Sequence, residues 1–146
     1  MNKPIILVVE DDLDHLEWTL SALEECNSSH KIVIARNGRE ALDYLFGEEV
    51  HQGRSTDDQP ELVLLDLGMP GMNGLEVLSR MRDDFRTFFV PVVMLTSASE
   101  QSPSILAFKG GLNSYLSKPL DCREFDDMLQ QIRAYWHTSS FPPLSL

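Results

Sequence analysis

No stretch of the 146-residue chain approaches the ~20 consecutive apolar residues that a membrane-crossing helix needs. The apolar run Ile5–Val9 is too short for a secretory core and runs straight into Glu10, Asp11 and Asp12. Basic residues are scarce, with 12 Lys plus Arg against 23 Asp plus Glu and a net charge of −11. A field of that sign repels nucleic acid and anionic lipid, so neither is an expected partner. It suits a protein that gathers cations. Cysteine is limited to Cys26 and Cys122, which form no CxxC and have no metal-ligand spacing; the expectation is two free, inert thiols in a reducing cytosol. The four histidines, His15, His30, His51 and His137, share no ligand spacing either and are expected on the surface. There is no GxxxxGK[ST], and Gly68, Gly71 and Gly74 do not make a GxGxxG, which disfavours nucleotide and dinucleotide sites. Internal repeats and low-complexity tracts are also missing. The chain reads as cytoplasmic.

What remains is ordinary globular material: 42% hydrophobic and 24% charged residues in a length that suits one domain. A chain this long buries about 68–70% of its unfolded surface, so it needs no staples. Strand and helix signals alternate throughout. Ile5–Val9 is a continuous, β-branched-rich run of the kind that is covered on both faces in a parallel sheet. Leu13, Leu16, Leu20 and Leu23 then recur at helical spacing behind Asp12, a capping residue. Lys31–Arg36 predicts a second strand. Asn37 and Glu40 form a capping-box-like start to a helix through Ala41, Leu42, Leu45 and Phe46. The polar stretch 47–60 is a long internal loop. Glu61–Leu65 predicts a third strand ending at Asp66, and the turn-rich run Gly68–Gly74 precedes a helix through Leu75, Leu78 and Met81. Val90–Leu95 predicts a fourth strand, with Pro91 near its start, where a missing donor is tolerated. A short helix over Pro103–Lys109, a fifth strand over Ser114–Ser117 and a final helix behind Asp121 and Glu124 complete the pattern.

Five strands alternating with five helices imply an α/β, three-layer (βα)5 domain. Its expected form is a five-stranded parallel sheet in the flavodoxin-like order 2-1-3-4-5. Ligands bind such sheets at the carboxyl ends of the strands. There the first strand delivers Glu10, Asp11 and Asp12, the third Asp66, the fourth Thr96 and Ser97, and the fifth Lys118 and Pro119. Converging carboxylates without His or Cys make an oxygen-only site that suits Mg²⁺ with retained waters. A lysine beside them can hold a phosphoryl oxygen, and an aspartate can be the nucleophile that forms an acyl phosphate. Taken singly, each feature has a plainer reading. The acid run favours a helix dipole, Asp66 ends a strand, Lys118 is a surface charge, Thr96 and Ser97 cap a helix and Tyr115 packs.

Together the runs VVEDD (8–12), LLDLGMPGMNG (64–74), MLTS (94–97) and YLSKP (115–119) resemble the response-regulator receiver domain of two-component signalling, the CheY-like fold. The likeness covers roughly residues 4–136, with the four motifs in the right order. It implies that Asp66 is the phosphoacceptor and that Asp11, Asp66 and the Gly68 main-chain carbonyl bind Mg²⁺, with Glu10 acting through water. It implies that Thr96 and Lys118 bind the phosphoryl group, that Thr96 and Tyr115 form the switch, and that Pro119 is the family's cis-proline. Gly68 and Ala98 fall at positions that vary in the family and tune the lifetime of the phosphoryl group; both are small here. Asp66 follows Asp11 by 55 positions, longer than the family's usual interval. With Tyr135-Trp136 and the Phe141–Leu144 tail, that insertion is similar to the single-domain regulators that partner bacterial phytochromes.

The resemblance implies a regulator comprising one receiver domain over residues 1–146, with the tail at 137–146. Its donor is a sensor histidine kinase, a bacteriophytochrome in the narrower reading, or a phosphotransfer protein. After Lys118 only a helix and a short tail remain, so signalling is expected through partner binding. The other route is a homodimer formed by the C-terminal helix, the fifth strand and the tail. An aspartyl-phosphate phosphatase of the haloacid dehalogenase type needs a second acid two residues after its nucleophile, where this chain has Gly68. The chain is therefore not expected to be an enzyme. The alternative is a pseudo-receiver that binds a partner without being phosphorylated.

Overall fold

The computed structural model describes residues 3–26, 29–56, 58–97 and 114–138. In chain order the elements are β1 (Ile5–Val9), α1 (Leu13–Glu25), β2 (Lys31–Ala35), α2 (Gly38–Phe46), a 3₁₀ turn (Glu49–His51), β3 (Leu62–Asp66), α3 (Gly74–Arg82), β4 (Val92–Thr96), β5 (Ser114–Ser117) and α4 (Cys122–Thr138). The helix expected over 103–109, Ala98 and the tail at 141–144 lie outside the described residues. The five strands form one parallel sheet in the order β2-β1-β3-β4-β5.

The period-2 alternation of the strands sorts the core into two layers. Leu7, Val9, Val63, Leu65 and Met94 face one side, where Ala41, Leu45, Val77, Leu78 and Met81 of α2 and α3 cover them. Ile6, Val8, Leu62, Leu64, Val93 and Leu95 face the other, beneath Leu16 and Leu23 of α1 and Phe125, Leu129 and Ile132 of α4. Every residue of β3 and β4 is buried, which is why these segments read as unbroken apolar runs. Of the α1 leucines, Leu13 is the exception: it is 66% exposed. No helix among the described residues is long and apolar enough to cross a membrane.

The helices start where short polar side chains replace missing backbone partners. Asp12 accepts the amides of Asp14 and His15, Asn37 that of Glu40, Asn73 that of Glu76 and Asp121 that of Glu124. Glu40 reaches back to the Arg36 amide, one residue ahead of the N-cap. α2 ends at Gly47, whose φ of 66° needs no Cβ. The loop beyond it folds back on that helix end. Arg54 lies 4.0 Å over the Tyr44 ring and donates to the Tyr44 and Asp58 carbonyls, and Gln59 donates to the Leu45 carbonyl at 3.0 Å. The insertion thus satisfies carbonyls that α2 leaves open.

Two expectations need correction. Cys26 and Cys122 are not free thiols: they form a disulfide between the end of α1 and the start of α4, with Cα atoms 5.3 Å apart. Their 96-residue separation hid the pair, because only the packing of α1 on α4 brings them together. Nor are all the histidines surface residues. The His30 side chain is 3% exposed, and its Nε2 lies 2.7 Å from Glu61 Oε1, which also takes a 2.7 Å hydrogen bond from Arg133 of α4.

The hydrogen bond from His30, reinforced by Arg133, holds the Glu61 carboxyl down at about 2, below its ordinary 4.5. A carboxylate with a depressed folded pKa stabilises the fold above its unfolded pKa, and that contribution fades as pH falls through the folded value. Glu61→Gln should therefore lower stability at neutral pH, with the gap to wild type closing between about pH 4.5 and pH 2. Chemical denaturation across that range would test it, and a gap independent of pH would refute the assignment.

Candidate functional site

Four strand ends and the residues just beyond them converge at one rim of the sheet. Glu10, immediately after β1, is fully buried, and Asp66, the last residue of β3, is 4% exposed. Thr96 ends β4 and is also fully buried. Its carbonyl accepts the Lys118 amide at 2.8 Å, which carries the β4–β5 pairing one step further and delivers Lys118 to the rim. The Lys118–Pro119 peptide bond is cis. Tyr115, in register with Met94 on β5, is 43% exposed.

Lys118 is the hub. Its Nζ lies 2.7 Å from Asp66 Oδ1 and 2.8 Å from Glu10 Oε1, and its side chain is only 8% exposed. Burial raises the pKa of Asp66, and the neighbouring Glu10 charge adds to this, against the Lys118 hydrogen bond that lowers it. Burial alone would pull Lys118 down; its hydrogen bond to Asp66, its close contact with Glu10 and the charges of both more than offset this and hold it above its ordinary value. The ammonium therefore stays charged, while burial and the Glu10 charge outweigh its pull on Asp66 and leave that carboxyl above its ordinary range.

Carboxylate oxygens of Glu10, Asp11 and Asp66 lie within 4.8 Å of one another. Three carboxylates against one ammonium leave two negative charges, and the donors are all hard oxygens. That set fits a divalent cation of the Mg²⁺ type and would be a poor match to a soft metal. Asp12 stands apart from this cluster, since its carboxylate caps α1.

Three residues that build the site were not evident from the sequence. Arg36, just past β2, donates from Nε to the Glu10 carbonyl at 3.1 Å and from Nη2 to the Asp11 carbonyl at 2.7 Å, fixing the backbone that carries both acids. Its only sequence signal is a cation placed at the end of an apolar strand. His15 brings Nδ1 within 3.1 Å of Lys118 Nζ. Gly74 begins α3 directly behind the end of β3. A Cβ there would lie 2.7 Å from the Asp66 carbonyl oxygen, 2.9 Å from Met94 Sδ and 3.0 Å from Leu67 Cα. The Gly74 amide also closes the turn on the Leu67 carbonyl at 3.1 Å, while Met69 plugs into the core beneath and Gly68 stays exposed.

The profile of the response regulator receiver domain matches residues 6–130. The chain is 36% identical over 132 residues to the probable methanogenesis regulatory protein FilR2 of Methanothrix harundinacea, covering 90% of this chain and 83% of that protein. Among solved structures, the bacteriophytochrome response regulator AtBRR is 38% identical with a TM-score of 0.83, covering 93% of this chain and 96% of that one. The Mn²⁺-bound form of the response regulator Rcp1 is 26% identical with a TM-score of 0.70, covering 96% and 99%.

Adding a methyl group at Gly74 should force the Asp66–Leu67 backbone to move. Gly74→Ala is expected to lose about 1–3 kcal/mol through overpacking, against a helix-propensity gain of no more than about 1 kcal/mol. Urea denaturation would measure the net effect, and a stabilised variant would contradict the close approach.

Proposed function

Because the chain belongs to the response-regulator receiver family, whose members are phosphoacceptors of two-component signalling, we propose that it is a response regulator that accepts a phosphoryl group on Asp66. The observation that carries this reading is the buried Lys118 ammonium shared by Asp66 and Glu10 at the carboxyl rim of the sheet. An Asp66 oxygen attacks the phosphorus of a phosphohistidine on a partner kinase. A P–O bond forms, the P–N bond breaks, and the electron pair leaves with the imidazole. Lys118 then turns from Asp66 Oδ1 to a phosphoryl oxygen. Thr96, buried at the adjoining strand end, hydrogen-bonds another.

Asp11, Asp66 and the Gly68 main-chain carbonyl would hold Mg²⁺, with Glu10 acting through water. The ion would supply neutralisation of the phosphoryl oxygens. Arg36 keeps the acid-bearing backbone in place. Thr96 and Tyr115 form the switch: drawing Thr96 toward the phosphoryl group opens space into which the half-exposed Tyr115 ring turns. The bias amounts to a few hydrogen bonds and so shifts a population between two states.

Residues 1–146 act as one receiver domain in the cytoplasm. It signals by binding a partner or by homodimerisation through α4, β5 and the tail, rather than by chemistry on a substrate. The likeness to AtBRR supports a bacteriophytochrome as the kinase. A pseudo-receiver would have no use for a buried ammonium held between two carboxylates.

Intact-mass spectrometry after incubation with acetyl phosphate and Mg²⁺ tests the reading. One phosphoryl adduct is expected on wild type, with none on Asp66→Asn and none without the metal. Wild type that stays unmodified under rapid sampling would leave only a binding module.

A further inference from the structure

We propose that His15 is a positioning residue for Lys118, its Nδ1 accepting an ammonium N–H beside the one given to Asp66 and holding Nζ at the outer edge of the acidic pocket. An ammonium has three protons to donate. One is donated to Asp66 Oδ1 at 2.7 Å, Glu10 Oε1 lies 2.8 Å from Nζ as an ion-pair contact, and His15 Nδ1, at 3.1 Å, is placed to take another. To accept from an ammonium at that distance Nδ1 must carry no proton, so the role requires the tautomer with its proton on Nε2.

The ring is held by α1 and reaches an element 103 residues away in the chain. Its amide donates to the Asp12 cap at 3.1 Å, and its face stacks on Trp18 at 5.0 Å with planes 28° apart. The angle of the imidazole is thus set within a single helix turn, before the ring meets Lys118.

This arrangement matters for phosphoryl transfer, and to that extent it rests on the reading of Asp66 given above. Two buried carboxylates alone would draw the ammonium inward between them. A neutral acceptor on α1 opposes that pull without adding charge. It keeps Nζ where arriving phosphoryl oxygens can replace Asp66 Oδ1 as its partner. The worth of such a bond corresponds to a two- to tenfold change in rate, on the scale of one neutral hydrogen bond.

Two substitutions separate this role from plain packing. His15→Phe keeps an aromatic ring over Trp18 and removes the acceptor. His15→Asn gives up the stack and keeps a side-chain oxygen close to the Nδ1 position. Initial rates of adduct formation with acetyl phosphate and Mg²⁺ would be followed by intact mass, with thermal melts to confirm folding. His15→Phe should be about two- to tenfold slower than wild type, and His15→Asn should be within about twofold of it. Any pattern in which His15→Asn does not outperform His15→Phe overturns the proposal. Absence of an adduct on wild type would instead count against Asp66 as the phosphoacceptor. The tautomer of His15, read from side-chain ¹⁵N shifts, decides the contact independently of phosphorylation. Protonation on Nε2 supports it, and protonation on Nδ1 overturns it.

Discussion

A buried ammonium shared by two carboxylates, Lys118 between Asp66 and Glu10, is the constraint around which the rim of this sheet is arranged. None of the three ions would be tolerated alone at such depth, since desolvation costs several kcal/mol per ion. Held together they are close and partly compensate one another. With Asp11 added, carboxylates outnumber the ammonium at the rim, a hard-oxygen donor set that fits a divalent cation.

The rest of the fold keeps those groups in register. Parallel pairing brings the ends of β1, β3 and β4 to one level, and the backbone bond from Lys118 to Thr96 ties the fifth strand's end to the same level. Arg36 clamps the carbonyls of Glu10 and Asp11 from the β2 side, and Gly74 lets α3 press against the backbone of Asp66. Neither residue carries the chemistry. Both decide where the carboxylates point.

Legibility in the sequence followed the range of the interactions. Strand positions were readable to within a residue or two because burial on both faces leaves an unbroken apolar run; β1 and β5 coincide with the expected segments, β3 ends at Asp66 as expected, and β4 ends one residue later than expected. Helix starts were readable because caps act over three residues, as at Asp12, Asn37 and Asp121. The strand-end acids and Lys118 were readable once the topology was inferred, because a parallel sheet of this order has one place for them. The Cys26–Cys122 bond, the burial of His30 against Glu61 and Arg133, and the approach of His15 to Lys118 were not, since each joins residues far apart in the chain.

Alternation of apolar strands and capped helices, and the residue types at the strand ends, were determined by sequence alone, because periodicity and capping are local properties. Which cations and imidazoles gather around those strand ends was decided only in the tertiary structure. The reason is geometric: Arg36, His15 and Lys118 meet the acidic pocket from β2, α1 and β5, and only the packing of helices on the sheet sets those approaches to within hydrogen-bonding distance.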